Sequence, residues 1–272
     1  MRALIYGANG FLGKEFIRIN NCDYRNIINE VYIGHADITY PLGIDNEIEK
    51  YRPNIILNFS GRISYDINHG GAIFSNNLVG PLHLLNCTMI NNMNIPIISI
   101  GSIAALERDK NIYALSKYCL ELLCKQYKNL FVVRLPSIFS HTRKSGAIYN
   151  FYQKCLTNEE IIIDTDLQYW NCLECSTAVQ AIAWNILNII NNVNNEQVIN
   201  VGYKELHNLE SIALLIKKYT GSKSSIIIKN DTKKYSMVLS QEENQDKSCS
   251  YTPINKTMEE DIKRYVEYLC HR

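Results

Sequence analysis

The sequence predicts an α/β fold, with a doubly wound, mostly parallel sheet and a small C-terminal α/β part. Predicted strands and helices alternate from residue 1 to about residue 135, an order typical of parallel sheets with helices on both faces. Several strand-like runs are continuously apolar and rich in β-branched residues, as expected of strands buried on both faces. A glycine-rich turn follows the first of these runs. Together these observations favour a sheet that binds a ligand at the carboxyl ends of its strands.

The elements of the first half are short and closely spaced. Leu78, Leu82, Leu85 and Met89 share one helical stripe, which predicts a long helix over 74–92. The strands of this half are predicted at 3–6, 30–33, 55–59, 96–100 and 131–135, and its other helices at 14–19, 45–51 and 113–127. A helix thus follows each of the first four strands.

The second half is less regular. Its apolar and amphipathic runs predict helices at 145–156, 177–190, 209–219 and 258–270, and short strands at 161–163, 198–201 and 225–229. The polar segment 234–251 is predicted to be rich in loops. We expect residues 1–140 to form one domain, to which 172–202 returns, and residues 141–272 to form most of a second, interleaved part.

Composition argues against several classes of protein. With 272 residues, of which 46% are hydrophobic, the chain can bury a sizeable core. Its net charge of +1 gives no electrostatic basis for binding nucleic acid or an anionic membrane. No apolar run is long enough to span a bilayer, and Gly7, Asn9 and Gly10 interrupt the first one, unlike a signal peptide. The nine scattered cysteines do not resemble a disulfide framework, so we expect a cytoplasmic protein with reduced thiols.

The glycine-rich turn is Gly7-Ala8-Asn9-Gly10-Phe11-Leu12-Gly13. A strand that reopens as a helix across glycines directs backbone N–H groups and the positive helix end towards a site where a phosphate can sit. The three glycines suit a tight turn, close approach to a pyrophosphate and close packing of helix on strand. Their spacing matches the usual dinucleotide fingerprint only loosely, so an ordinary strand–helix turn is the alternative.

Tyr113 and Lys117 stand four positions apart in the predicted helix 113–127, so they share one face. An ammonium beside a phenol is expected to lower the pKa of Tyr113, which would make it a usable acid or base. Ser102 follows a buried strand, where its hydroxyl could bond a carbonyl oxygen that Tyr113 also reaches. Taken singly, the pair could be a surface contact and Ser102 a turn serine.

A metal site has little support in the sequence. Cys172 and Cys175 form a C-x-x-C pair, but no second pair or matched histidine accompanies them. The histidines show no metal-ligand spacing either. We therefore expect no metal.

The glycine turn, Ser102, Tyr113 and Lys117, in that order, resemble the extended short-chain dehydrogenase/reductases, the NAD-dependent epimerase/dehydratase family. Further similar stretches are Asn58-Phe59-Ser60-Gly61, Asn77-Leu78-Val79-Gly80 with Leu84-Leu85, and Val198-Ile199-Asn200-Val201-Gly202 with Leu209-Glu210. The likeness covers nearly the whole chain. It implies a Rossmann-like fold, NADP or NAD as cofactor and a nucleotide sugar as the small-molecule substrate.

The resemblance also implies roles for the matching residues. Ser102, Tyr113 and Lys117 would be catalytic, and Lys117 would also bind the nicotinamide ribose. Asn77 would support the active-site helix or a water, with a packing role as the alternative. The other cofactor contacts would come from Gly7, Gly10, Phe11, Leu12 and Gly13 at the pyrophosphate, Asp37 and Ile38 at the adenine, and Phe59, Ser60 and Gly61 at the adenine-side ribose and pyrophosphate.

One departure from the family pattern concerns the cofactor. Ile33-Gly34-His35 stands where an NAD enzyme often carries an acidic residue for the ribose hydroxyls. This weakens a strict preference for NAD and favours NADP, although no arginine stands there to hold a 2′-phosphate.

The residues after Ser102 bear on the reaction. Sugar 4,6-dehydratases of the family carry Asp-Glu there, whereas this chain has Ile103 and Ala104, which disfavours a dehydratase. The short chain and the run 111–117 resemble the family's 4-keto-6-deoxyhexose reductases. We expect NAD(P)H-dependent reduction of a keto group on a nucleotide-activated deoxysugar, with Tyr113 as proton donor. The alternatives are a nucleotide-sugar epimerase with tightly bound NAD and a non-catalytic NAD(P)-binding sensor.

An apolar face of helix 113–127 suggests self-association. It is formed by Leu115, Cys119, Leu122 and Leu123. In the resembling family the corresponding helix often packs against its copy, which implies a homodimer. Core packing of the same residues is the alternative.

Overall fold

The structure is a computed structural model that describes residues 1–22, 28–163, 170, 172–193, 196–205, 207–229 and 249–270. Its strands are β1 (Arg2–Tyr6), β2 (Glu30–Ile33), β3 (Ile55–Asn58), β4 (Ile97–Ser102), β5 (Leu130–Leu135), β6 (Ser137–Phe139), β7 (Ile161–Ile163), β8 (Cys172–Glu174), β9 (Val198–Tyr203), β10 (Ile226–Ile228) and β11 (Cys249–Ile254). Its α-helices are α1 (Phe11–Cys22), α2 (Pro41–Tyr51), α3 (Gly70–Phe74), α4 (Gly80–Ile90), α5 (Ile112–Cys124), α6 (Ala147–Thr157), α7 (Cys175–Ile190), α8 (Leu209–Thr220) and α9 (Met258–Cys270). None of these helices combines the length and apolar character that crossing a membrane requires.

The central sheet confirms the predicted doubly wound α/β fold. Its strand order is β11-β9-β5-β4-β3-β1-β2, and every pair from β9 to β2 is parallel. The order reverses between β1 and β3, which places a crevice at the carboxyl ends of those two strands. The glycine turn follows β1 and the Phe59-Ser60-Gly61 stretch follows β3, so both lie at this crevice.

The strands are continuous apolar runs because helices cover both faces of the sheet. Ile55, Ile56 and Leu57 of β3 are at most 1% exposed, and Leu84 and Leu85 of α4 are fully buried. Removing a side chain of this size from water contributes about 1.5–3 kcal/mol to folding. The sheet is therefore a rigid base for the loops at its carboxyl edge.

The chain forms two compact units. The first consists of the described residues within Met1–Leu135, Val179–Val201 and Asp246–Thr252. The second consists of those within Pro136–Ala178, Gly202–Gln245 and Pro253–Arg272. The central sheet and the glycine turn belong to the first unit.

The prediction of a single helix over 74–92 is wrong. The chain forms α3, then a π-helical turn over Ser75–Val79, and then α4. Pro81 stands at the start of α4. A proline there has no N–H to donate and its ring crowds the carbonyl four residues earlier, at Asn77, so the chain widens by one residue ahead of it. The wider turn contains the buried Asn77.

Three strands were missed. β6 and β8 form a separate parallel pair, and each has three residues, too few for a periodic signal. β11 covers residues 249–251, so the prediction of a loop is wrong there. Residues 234–248 of that prediction lie outside the described residues.

A buried carboxylate joins three elements within the second unit. Asp261 on α9 is 1% exposed, and its Oδ2 accepts hydrogen bonds of 2.6 Å from Thr177 Oγ1 and from Tyr203 Oη. Its Oδ1 accepts a hydrogen bond from Arg264 on the same helix. Since both carboxylate oxygens are satisfied, removal of Asp261 would leave two buried hydroxyls without their acceptor.

Replacing Asp261 with alanine should lower the free energy of unfolding by about 2–4 kcal/mol, because buried donors lose a charged acceptor. Urea denaturation followed by circular dichroism measures this loss. Glu267→Ala is the matched control, since the Glu267 side chain is 55% exposed on the same helix and its ion pair with Lys263 is long, at 3.9 Å. Equal stability of the two variants would contradict the prediction.

Candidate active site

The glycine turn is held between the chain ends of β1 and β3. Gly7 has a φ of +72°, and its carbonyl accepts a hydrogen bond of 3.0 Å from Gly10 N. A Cβ at Gly7 would lie 2.4 Å from Ser60 N, and one at Gly13 would lie 2.3 Å from Gly7 O. Neither position therefore accommodates a side chain. The exposed start of α1, at Gly10 and Phe11, is left open towards the crevice.

The loop after β3 is shaped by Asn58. Asn58 Oδ1 accepts a hydrogen bond of 3.0 Å from Ser60 N, and its Nδ2 donates one of 3.4 Å to Ser99 Oγ on β4. The ring of Phe59 packs on that of Phe16 in α1, with centroids 5.1 Å apart. These contacts fix the Phe59-Ser60-Gly61 stretch beside the glycine turn.

Asn77 connects this loop to α5. Its Oδ1 accepts from Arg62 N, and its Nδ2 donates to Arg62 O and to Ser116 Oγ, each at 2.9 Å. Ser116 Oγ donates in turn to the carbonyl of Tyr113 at 2.7 Å. Sequence reasoning missed Ser116, because a serine within a helical run carries no signal of its own. The structure thus places Asn77 against the helix that carries Tyr113 and Lys117.

Ser102, Tyr113 and Lys117 come together at the carboxyl end of β4. Ser102 lies close enough to the Tyr113 phenol to influence its pKa, and its Oγ accepts a hydrogen bond from Ala104 N at 3.2 Å. Lys117 Nζ lies 5.9 Å from the centre of the Tyr113 ring. Asn111 caps α5 by accepting from Ala114 N at 2.8 Å, which sets where this helix begins.

The expected lowering of the Tyr113 pKa is wrong for this structure. Burial raises the pKa of the phenol by more than the nearby Ser102 hydroxyl lowers it, and the nearby Tyr65 raises it further. The side chain is 7% exposed, so the charged phenolate would be poorly solvated. Tyr113 is accordingly a protonated phenol around neutral pH.

Lys117 is a buried cation. It is 5% exposed, and its Nζ donates a hydrogen bond of 2.7 Å to Ile100 O. Burial lowers its pKa to about 8, and the charge of Glu121, one turn further along α5, opposes that shift. Glu121 is itself held by a two-bond contact with Arg134 on β5, at 2.6 and 2.8 Å.

Asp37 and Ile38 lie after β2, at the other end of the crevice. Asp37 Oδ1 accepts from Thr39 N at 2.9 Å and from Thr39 Oγ1 at 2.8 Å, and these bonds lower the Asp37 pKa. The Ile38 side chain is 4% exposed and packs beside Gly80. Any contact of Ile38 with a ligand would therefore use its backbone.

Tyr65 is a further aromatic residue beside Tyr113. Its ring meets that of Tyr113 edge to face, with centroids 6.1 Å apart, and it is 68% exposed. It stands in the irregular segment between β3 and α3, where no periodic pattern could have indicated it. Its exposed ring forms part of the rim next to Tyr113.

The comparison with protein families decides what this arrangement is. The sequence model of the NAD dependent epimerase/dehydratase family matches residues 3–202, which include the glycine turn, Ser102, Tyr113 and Lys117. The chain belongs to this family. Membership makes it an NAD(P)-dependent enzyme of the extended short-chain dehydrogenase/reductase type, as the resemblance implied. No protein of curated function matches the sequence.

Solved structures of the same fold include family members with different reactions. A dTDP-4-dehydrorhamnose reductase from Bacillus anthracis in complex with NADP is 17% identical, with a TM-score of 0.76 over 98% of each chain. A UDP-glucose 4-epimerase from Thermotoga maritima with UDP-glucose is 18% identical, with a TM-score of 0.72 over 100% of this chain and 99% of that one. A UDP-glucose 4-epimerase from Thermus thermophilus with NAD is 14% identical, with a TM-score of 0.69 over 99% of each. Such low identities establish the fold alone.

The residues of this family member fit a dinucleotide. The glycine turn and the start of α1 offer a backbone cradle, in which side chains at Gly7 and Gly13 would clash with the protein itself. At the other end, a Cβ on Gly61 would stand 3.6 Å from Lys117 Nζ and 3.4 Å from Asn77 Oδ1. The missing side chain keeps the space beside Lys117 Nζ and Asn77 Oδ1 open. Among the described residues no group of His, Cys, Asp or Glu side chains could hold a metal.

The affinity for the cofactor should fall as the pH rises through about 8, because Lys117 is an ammonium below its pKa of about 8 and a neutral amine above it. An ammonium donates stronger hydrogen bonds to ribose hydroxyls than an amine does. Titration of NADH fluorescence at constant ionic strength measures the dissociation constant. Lys117→Met should bind more weakly and show no step at that pH. If the wild-type affinity for NADH stays constant across this pH range, Lys117 does not bind the cofactor ribose as an ammonium.

Proposed function

We propose that this family member reduces a keto group on a nucleotide-activated deoxysugar, using NADH or NADPH. The observation that carries the proposal is the clustering of Ser102, Tyr113 and Lys117 at the end of β4, next to a backbone cradle that fits a dinucleotide. Reductases and epimerases of nucleotide sugars share the fold, which makes this substrate class the best supported one.

Each residue has a distinct part in the proposed reaction. When bound, the reduced nicotinamide supplies a hydride to the carbonyl carbon. Tyr113 Oη gives its proton to the carbonyl oxygen, and Ser102 Oγ hydrogen-bonds that oxygen as negative charge develops on it. Lys117 stabilises the resulting phenolate through its positive charge. The raised pKa of Tyr113 suits this direction of reaction, because the phenol enters it protonated.

Reduction is favoured over dehydration by the residues after Ser102. Ile103 and Ala104 start a short 3₁₀ helix and are buried, at 5% and 8% exposure. Elimination of water requires an acid and a base that move additional protons, and neither side chain can do so. The epimerase alternative differs in its cofactor, since an epimerase regenerates its own NAD and has no need of added NADH.

Tyr113→Phe should reduce turnover at least about 10²-fold with little change in cofactor affinity, because it removes the proton donor and keeps the ring. The loss of absorbance of NADH or NADPH with a panel of nucleotide 4-ketosugars measures turnover. Tyr118→Phe, five positions further along α5, is the matched control because Tyr118 contacts Arg108 through its ring. Turnover of Tyr113→Phe at the wild-type level would refute the mechanism.

The same experiment separates the alternatives. Purified protein that carries NAD and interconverts two nucleotide sugars without added cofactor would favour the epimerase. Binding of NAD(P)H without reduction of any ketosugar would favour the sensor.

A reducing compartment, the cytoplasm, is part of the proposal. The Cys87 and Cys124 thiols are buried and are not in disulfides. Burial raises the pKa of Cys87 to about 11, so this thiol is protonated and unreactive around neutral pH. Such cysteines act as small core residues.

Homodimerisation through α5 is a further part of the proposal. Leu115 and Leu122 on this helix are 36% and 40% exposed, and Cys119 between them is partly buried. Leu122→Lys should convert a dimer into a monomer, because a buried ammonium opposes association. Light scattering after size-exclusion chromatography measures the mass, with Leu214→Lys on α8, where Leu214 is 51% exposed, as control. A wild-type monomer at about micromolar concentration would refute the dimer.

A further inference from the structure

The loop after β2 differs from what a nicotinamide enzyme of this fold usually shows. Only Gly34, His35 and Ala36 separate the end of β2 from Asp37. In doubly wound sheets this position faces the ribose next to the adenine, where an acidic side chain selects NAD and a basic one holds the 2′-phosphate of NADP. The loop itself carries no acidic side chain and neither lysine nor arginine.

An acidic side chain directly after β2 has no room in this chain. A Cβ on Gly34 would lie 2.5 Å from the Tyr6 ring. Tyr6 belongs to β1 and is 1% exposed, so its ring cannot move aside easily. Gly34 is also fixed by the hydrogen bond of 2.9 Å from its N to Ile5 O.

A carboxylate reaches this loop from elsewhere. Glu47 on α2 accepts hydrogen bonds at Oε1 from His35 N at 2.7 Å and from Ala36 N at 3.1 Å. Its other oxygen, Oε2, is buried and has no hydrogen-bond partner among the described residues, and the same holds for Tyr6 Oη. Burial raises the Tyr6 pKa and the neighbouring Glu47 carboxylate raises it further, so Tyr6 stays a neutral phenol beside that charge.

These contacts determine how the loop meets a phosphate. The two backbone N–H groups are the donors that a 2′-phosphate could use here, and Glu47 already occupies both of them. Its negative charge stands just before Asp37, whose lowered pKa keeps it a carboxylate at neutral pH. In the described part of the chain no lysine or arginine forms an ion pair with Glu47. A 2′-phosphate would therefore meet two carboxylates and two occupied amides, with the His35 imidazole as the donor that the loop has left to offer.

We propose that Glu47, through its contact with the His35 and Ala36 amides, makes this site select NADH and reject NADPH. Glu47, which lies on α2, thus supplies the negative charge that selects against the 2′-phosphate and that Gly34 cannot supply. The proposal rests on the proposed function and adds the identity of its cofactor.

Direct binding tests the selection. The dissociation constants of NADH and NADPH are measured by isothermal titration calorimetry for the wild type and for Glu47→Gln. The glutamine keeps an oxygen to accept the two N–H groups and removes the charge. Glu49→Gln, which removes the same charge from an exposed position of α2, is the matched control.

The wild type should bind NADH at least about tenfold more tightly than NADPH. Glu47→Gln should narrow that ratio by about tenfold through stronger NADPH binding, whereas Glu49→Gln should leave it unchanged. The difference between the wild-type affinities for NADH and NADPH should also narrow at high salt, because salt screens the repulsion between Glu47 and the 2′-phosphate. This measurement uses the wild type alone and does not depend on the folding of a variant.

Two results would overturn the selection while leaving the proposed function intact. One is wild-type affinity for NADPH equal to or tighter than that for NADH. The other is a folded Glu47→Gln with the wild-type ratio. If the wild type binds neither nucleotide, the proposed function fails and the selection falls with it.

Discussion

The site depends on the hydrogen bonding of Asn77. The Asn77 side chain is buried and makes three hydrogen bonds to backbone and hydroxyl groups. Breaking them is costly, because each partner would be left buried without a hydrogen bond. Through Arg62 it holds the loop after β3, and through Ser116 it holds the first turn of α5. One side chain therefore joins the loop beside the glycine turn to the helix that carries Tyr113.

Three charged side chains, Arg134, Glu121 and Lys117, connect β5 to the candidate site through α5. Arg134 and Glu121 are both nearly buried and pair through two hydrogen bonds, and Glu121 in turn supports the charge of Lys117. A buried pair of this kind contributes little net stability, because desolvation offsets the attraction. Its effect is local: without the Glu121 charge, burial would depress the Lys117 pKa further.

Most of the fold could be predicted because it follows from periodic patterns. The buried strands at β3, β4 and β5 and the amphipathic α9 carry strong signals, and the structure has them within a few residues of the prediction. Breaks that depend on one residue were missed, as at Pro81, and so were the three-residue strands β6 and β8. In the site, the spacing of Tyr113 and Lys117 located the pair, but the Tyr113 pKa depends on burial that no spacing reports. Glu47 and Tyr65 reach their places through tertiary contacts, which a sequence does not show. The chemical roles of Ser102, Tyr113 and Lys117 are a proposal both from the sequence and from the structure.

The π-helical turn has a consequence for the evolution of this segment. A wide turn contains one residue more than the α-helix it interrupts, and one residue corresponds to a rotation of about 100° around the helix axis. Deleting Leu78 or Val79 would remove that extra residue and rotate Asn77 relative to α4, away from Arg62 and Ser116. Replacing side chains on α4 leaves the rotational position of Asn77 relative to that helix unchanged, whereas inserting or deleting one residue between them does not. The length of this segment is thus under tighter constraint than its composition.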